Sequence, residues 1–296
     1  MPTYIGNEKP NAINGSSVGD EIYGGGSHDA LNGHGGNDVV YGGLGDDFIG
    51  SSDGDDSLYG GTGNDYVGGG GGIDYLYGGE GKDFICGGND NDQAYGGEGN
   101  DWISGDNGDD VVDGGEGNDK LYGEDGSDQV FGGTGSDQLH GGKGDDLLFG
   151  GSDNDYMDGG YGIDYLYGGD GDDQFGGTLD GKWTSDSFRS DDFLFGGDGN
   201  DVFFCGRGTD VLSGGTGNDI FVKRNYDKIT ITDFDSVGAG NDVLYLSKVY
   251  FGDWKALLKA TTQVGDDLLI NYRGKDVIVL QNVELSTFGQ DDVIFI

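Results

Sequence analysis

Aspartate stands at every ninth position from residue 20 to residue 173: Asp20, Asp29, Asp38, Asp47, Asp56, Asp65, Asp74, Asp83, Asp92, Asp101, Asp110, Asp119, Asp128, Asp137, Asp146, Asp155, Asp164 and Asp173. The same spacing resumes at Asp192, Asp201, Asp210 and Asp219. Carboxylates are hard oxygen donors, and a regular row of them suits a hard divalent cation that gathers about six to eight oxygens. Bulk composition points the same way, with 56 Asp and Glu against 15 Lys and Arg, a net charge of −41 over 296 residues. Such a polyanion argues against nucleic acid, whose binding relies on many Lys and Arg, and leaves cations as the natural partner. With 68 Gly and only 33% hydrophobic residues, the chain also lacks the composition of an ordinary α/β enzyme.

Nothing else in the sequence competes as catalytic chemistry. His28, His34 and His140 all lie inside the nine-residue period, and no H-E-x-x-H zinc motif occurs. Two G-x-S-x-G stretches, at 15–19 and 50–54, are expected by chance in a chain so rich in Gly. Their serines, Ser17 and Ser52, lack the strand–turn–helix context of a nucleophile elbow. The reading is therefore of a chain that is not an enzyme.

The elements that must carry the aspartates follow from the residues around them. Twelve units read G-G-x-G-x-D, as in Gly60-Gly61-Thr62-Gly63-Asn64-Asp65. Glycines at the first, second and fourth places open left-handed conformations, so six residues can form a tight loop with its carbonyls facing inward. Two residues after each Asp comes an apolar side chain, from Ile22, Leu31 and Val40 through to Phe175, then Leu194, Phe203, Leu212 and Phe221. Alternation along a strand turns this eighth place inward and the seventh and ninth outward, which predicts a short strand in the three residues after each loop. A solvated Gly/Asp-rich linker would have no reason to keep an inward apolar residue. The register reaches back into 6–14, with Asn11 in the Asp slot and Ile13 in the apolar one. Some loops depart from the pattern. Asp90 and Asp153 replace the fourth glycine before Asp92 and Asp155, which is expected to distort the loop or weaken its site. Asp192 follows Ser187-Phe188-Arg189-Ser190 and is expected to ligate only through a neighbour's loop, and Asp20 also ends a poor loop.

These repeats resemble the calcium-binding nonapeptide of the RTX (repeats-in-toxin) family of secreted bacterial proteins. The likeness covers residues 6–222 and extends more weakly into residues 223–296. It implies an all-β fold, a parallel β-roll with two nonapeptides per coil, calcium held between loops of successive coils, and a small β-rich C-terminal cap. The implied calcium ligands are every aspartate of the series from Asp29 to Asp173, together with Asp201, Asp210 and Asp219. About one Ca²⁺ per nonapeptide would add roughly 40 positive charges, close to the deficit, so the metal-free chain is expected to be expanded and to fold on binding. The domain reading is a first segment at 1–14, the roll at 15–222 with an insertion at 177–186, and a capping and secretion segment at 223–296. Stacked at about 4.8 Å, the nine coils of 15–176 would extend about 43 Å.

Outside the loops, an 18-residue step reads one outer face. The ninth place in alternate units gives Tyr23, Tyr41, Tyr59, Tyr77, Tyr95, Asp113, Phe131, Phe149 and Tyr167, and the seventh place of the other units gives Phe48, Tyr66, Phe84 and Trp102. Two readings stay open: a stabilising ladder of stacked rings, or a docking strip for a polysaccharide, a membrane or another cell-surface partner. Downstream, strands are predicted at 228–234, 242–246, 268–272 and 277–280, and a helix at 254–260 with Leu257 and Leu258 inward. The ending Asp291-Asp292-Val293-Ile294-Phe295-Ile296 resembles the uncleaved signal that RTX proteins present to type I secretion machinery, or is simply a final strand. Residues 1–14 show neither a basic region nor an apolar stretch, so no cleaved N-terminal signal is expected. No transmembrane segment is expected either. Cys86 and Cys205, about 30 Å apart on this scheme, should be free thiols.

Three functions fit. The first is a self-contained secreted calcium-binding protein of adhesin or matrix type, favoured by the closeness of Met1 to the repeat register. The second is the export and folding module of a larger secreted hydrolase or alginate epimerase. The third is a membrane-active protein of the nodulation-associated type, against which the lack of any long apolar stretch counts.

Overall fold

The structure is a computed structural model and describes residues 1–176, 191–206, 208–223, 228–236, 241–273 and 275–296, apart from the side chains at 275 and 276. It comprises two compact units, Met1–Leu148 and Phe149–Ile296.

In the first unit the chain alternates between two parallel sheets at each repeat. Pairing joins residues 18 apart, so Tyr59 meets Tyr77 and Leu58 meets Leu76 in one sheet, while Ile85 meets Ile103 in the other. Each coil therefore takes two nonapeptides. The eighth-place side chains stack inside the roll: Ile22, Val40, Leu58, Leu76, Val112 and Val130 from one sheet and Ile49, Val67, Ile85, Ile103, Leu121 and Leu139 from the other are all 0% exposed. Burying two such side chains per coil yields about 3–6 kcal/mol. Two carboxylates per coil are hidden as well, and each costs several kcal/mol to take from water as an ion. The apolar column alone does not hold the roll together.

The strands are longer than the sequence suggested. Most run six residues, as in Ser57–Thr62, Tyr75–Glu80 and Phe84–Asn89, because the ladder continues through the first three loop residues. Alternation persists, so the first glycine of each loop faces inward like the eighth residue before it. The reading of all three glycines as left-handed therefore needs correction. Gly61 and Gly63 have φ of 119° and 126°, but Gly60 does not; space, not conformation, requires it. A Cβ on Gly60 would stand 2.5 Å from the carbonyl oxygen of Gly78 and against Asp65. Asp90 and Asp153 keep a left-handed backbone but not the glycine's angle: both stand at φ 74°, short of the 97–151° of the glycines at that place, in a region that Asp tolerates better than most side chains.

The outer rings form ladders. Phe48, Tyr66, Phe84 and Trp102 stack at centroid spacings of 4.6, 5.2 and 4.2 Å with planes within 10° of parallel, and the series runs on to Tyr122 and His140. On the other sheet Tyr23, Tyr41 and Tyr59 stack likewise. The column then sidesteps: Tyr59 meets Tyr75 and Tyr75 meets Tyr95, tilted by 48° and 38°, leaving Tyr77 39% exposed. Because the stacked rings turn their faces to each other, it is edges that meet solvent, an arrangement that suits the ladder reading better than face-on docking.

In the second unit Tyr165–Asp170 pairs in parallel with Phe193–Asp198 at an offset of 28 residues, and Phe193–Asp198 with Thr209–Thr216 at 18, and the core turns aromatic where Phe175, Phe203 and Phe221 stack at 4.6 and 4.9 Å. The predicted insertion at 177–186 lies outside the described residues. Lys228–Ile231 and Val243–Leu246 extend the two sheets. Lys275–Leu280 joins the first of them in parallel and then pairs antiparallel with Asp267–Tyr272, which pairs with Thr261–Val264. Trp254–Ala260 is the expected helix, its first turn capped where the Ala256 N–H donates to Asp253 Oδ1 at 2.8 Å. Only Leu257 is inward; Leu258 is 40% exposed, against expectation. The terminal residues form the strand Val293–Phe295 beside Val243–Leu246. No helix among the described residues is long and apolar enough to cross a membrane.

Candidate metal centre

Every loop aspartate is buried, and each uses its two oxygens differently. From Asp29 to Asp146, Oδ1 accepts the backbone N–H of the residue one coil earlier. Along one edge of the first unit the N–H groups of Asp20, Asp38, Asp56, Asp74, Asp92, Asp110 and Asp128 donate to Asp38, Asp56, Asp74, Asp92, Asp110, Asp128 and Asp146 at 2.6–2.9 Å. Along the other edge Asn11, Asp29, Asp47, Asp65, Asp83, Asp101 and Asp119 donate to Asp29, Asp47, Asp65, Asp83, Asp101, Asp119 and Asp137 at 2.7–2.8 Å. The sequence therefore reads the columns correctly, but half of each carboxylate is committed to the protein.

The other half is not. Oδ2 of Asp47, Asp65, Asp74, Asp83, Asp92, Asp101, Asp110, Asp119 and Asp128 is buried without a hydrogen-bond partner. Each of these oxygens folds back over the first glycine of its own loop, where a carbonyl from the next coil also arrives. A Cβ on Gly42, Gly60, Gly69, Gly78, Gly87, Gly96 or Gly114 would touch that Oδ2 and lie 2.5–2.8 Å from the carbonyl oxygen of the corresponding glycine one coil on. An unsatisfied anionic oxygen and a carbonyl sharing one hollow are what a hard cation needs and what a protein otherwise avoids. Among the described residues no three His, Cys, Asp or Glu side chains cluster for a metal; the oxygens that meet Oδ2 over these glycines are backbone carbonyls.

Burial sets the electrostatics. It pushes Asp47, Asp65, Asp101, Asp110 and Asp119 up to about 6 against the backbone N–H that lowers them. Burial, with neighbouring carboxylates adding to it, pushes Asp74, Asp83 and Asp128 to about 7 and Asp92 to about 8. At these nine aspartates burial thus raises proton affinity towards neutral pH.

The second unit repeats the pattern. Asp155 and Asp173 donate to Asp173 and Asp201 at 2.8 Å, and Asp201 donates to Asp219 at 2.9 Å. Asp164 donates to Asp192 at 3.1 Å and Asp192 to Asp210 at 3.3 Å. Asp192 thus holds a column place, although residues 187–190 of its loop lie outside the described residues. In the loop ending at Asp210, buried Cys205 replaces the first glycine, its thiol pushed up to about 12 by burial. Both Cys86 and Cys205 are free.

Two contributors escaped the sequence reading. Asp242 extends one column, accepting from Asp219 N–H at 3.0 Å and, through Oδ2, from Asp235 N–H at 2.8 Å; its 23-residue offset hid it, although Asn241-Asp242-Val243-Leu244 repeats the pattern of Asn218-Asp219-Ile220-Phe221. The fifth loop place carries a second ladder, running the opposite way: Asn64 N–H donates to Asp46 at 2.8 Å, Lys82 N–H to Asn64 at 3.0 Å and Asn118 N–H to Asn100 at 2.8 Å. The recurring Asn or Asp before the loop aspartate was its signal.

Comparison with known proteins agrees with this geometry. No curated protein matches the chain. Among solved structures it is similar to the extracellular lipase LipA from Serratia marcescens, at 20% identity over 72% of this chain and 40% of that one, with a TM-score of 0.29; the chain spans less than half the lipase's length. The profile of the RTX calcium-binding nonapeptide repeat matches residues 14–49, 51–76, 69–94, 87–121, 95–130, 122–157, 149–180 and 188–221. With more than half its length matched and the loop geometry in place, the chain belongs to the RTX calcium-binding nonapeptide repeat family.

Proposed function

We propose that this chain is a calcium-assembled extracellular scaffold, exported by a type I machine and serving a structural or adhesive role outside the cell. The observation that carries the calcium reading is the row of buried Oδ2 atoms, each sharing the hollow over a loop's first glycine with a carbonyl from the next coil. The aspartates from Asp29 to Asp173, with Asp201, Asp210 and Asp219, would hold the ions together with those carbonyls. Calcium supplies the positive charge that a −41 chain lacks. The chain's own residues do the rest: Oδ1 fixes each carboxylate's orientation, the eighth-place side chains align the coils, and the glycines let neighbouring loops approach. Since each hollow draws oxygens from two coils, binding is cooperative along the stack.

Calcium titration of the metal-free chain, followed by far-UV circular dichroism, should show a steep gain of β signal; a spectrum that calcium leaves unchanged rules out assembly by metal. The export reading has a separate test. Secretion through a type I transporter should fall when residues 291–296 are removed, and should survive Val293→Thr, which keeps the terminal strand. Undiminished secretion of the deletion sinks the role of the tail.

A further inference from the structure

Asp29 Oδ2 is already orphaned in the first coil, but at two neighbouring amino-terminal loops donors stand in the hollow. Asn11 occupies an aspartate slot, and its N–H donates to Asp29 Oδ1 at 2.7 Å as an aspartate's would. Its side-chain amide turns back into its own loop. Nδ2 donates to the Asn7 carbonyl at 3.2 Å, to the Lys9 carbonyl, and to Asp29 Oδ1 at 3.0 Å, while Asn7 Nδ2 donates to Asn11 Oδ1 at 3.0 Å. One NH₂ group thereby gathers two loop carbonyls and the carboxylate of the next coil, oxygens that a cation would otherwise draw together.

The same substitution occurs on the other edge. Ser51 stands in the first-glycine place, and its hydroxyl donates to Asp38 Oδ2 at 3.3 Å with the His34 carbonyl at 3.4 Å as an alternative acceptor. A Cβ on Gly33 would lie 2.9 Å from Ser51 Oγ, so the hydroxyl fills the hollow that later loops leave to the carboxylate and carbonyl. One coil earlier, Ser16 gives both its N–H and its hydroxyl to Asp20 Oδ2, the latter at 2.9 Å. Asp20 Oδ1 has no donor, since the register places Pro2, which lacks an N–H, opposite it.

We propose that two hollows of the amino-terminal loops are closed by the protein's own donors, the Asn11 amide and the Ser51 hydroxyl standing where other loops take calcium, so that Asp38 leaves the row of calcium ligands while Asp29 stays in it. This end of the roll then depends on metal less than the later coils do. The inference rests on the calcium reading of the later loops. It explains why two consensus positions, an Asp at 11 and a Gly at 51, are abandoned together with the glycine at 16, all within the first three coils.

The test restores the consensus. Ser51→Gly and Asn11→Asp should each raise the calcium bound per chain by about one ion, counted by elemental analysis after gel filtration in buffered calcium. Hydrogen exchange on the wild-type chain in chelator should show amides of residues 21–32 exchanging at least about tenfold more slowly than those of residues 57–148. Calcium binding by the wild type with unchanged stoichiometry in both variants, or uniform exchange along the metal-free chain, overturns this inference alone. Absence of calcium binding by the wild type overturns the proposed function and this inference with it.

Discussion

A chelator added at about pH 8 is expected to abolish most of the β signal of the repeats, and acidifying the same metal-free sample towards about pH 5 is expected to recover part of it. The sign follows from the raised carboxylates. Burial lifts Asp65 and Asp119 to about 6, Asp74 and Asp128 to about 7 and Asp92 to about 8, above the ordinary value of 3.8 that they regain on unfolding. The folded roll therefore binds protons more tightly than the unfolded chain. Without metal, the stability these groups contribute is complete below the ordinary carboxylate range and is lost as pH rises through about 6 to 8. With metal the dependence inverts: protons compete for the same oxygens, so below about pH 6 apparent calcium affinity falls by up to about tenfold per pH unit per site. Circular dichroism across pH, with and without chelator, measures both limbs. A metal-free chain equally folded at both ends of the range would show that the buried carboxylates are not what calcium relieves.

Two glycine substitutions separate the hollow from the general tolerance of the roll. Gly60→Ala is expected to cost at least about 3 kcal/mol in calcium and to remove the ion at its loop, because the new methyl would lie 2.5 Å from the Gly78 carbonyl and against Asp65. Gly50→Ala, at a ninth place with nothing within 4 Å of its Cβ position, is expected to stay within about 0.5 kcal/mol of the parent. Denaturant unfolding of both variants in saturating calcium makes the comparison. Equal costs would mean that glycine serves backbone freedom alone at Gly60, and the close approach of successive coils would lose its meaning.

Much of the roll was legible in the sequence because a solenoid is nearly one-dimensional: a fixed period determines register, inward face and coil. Leu58 opposite Leu76, and Asp65 in one column with Asp83, follow from counting. What the period could not convey was the division of labour within a residue. Nothing in the string distinguishes Oδ1, tied to a backbone N–H, from Oδ2, left over a glycine. Nor could a repeated Gly reveal that Gly60 answers to space while Gly61 answers to φ. Where the period breaks, reading fails for a plain reason: Asp242 keeps its column through a 23-residue detour, which only three-dimensional pairing discloses. The sidestep of the rings at Tyr75 is likewise a choice between two outward places on one strand, and side-chain packing makes it.

The alternation of repeats between two unlike sheets constrains how such a chain can change its length over evolutionary time. Duplicating one nonapeptide would exchange the sheets for everything downstream, setting Tyr95 at the place of Ser104 and Gln93 where Trp102 has its stack, and moving each later aspartate to the opposite edge. Duplicating two leaves every partner unchanged. Growth and loss by recombination are thus viable only in even steps, and a lineage of such arrays should differ in length by whole coils.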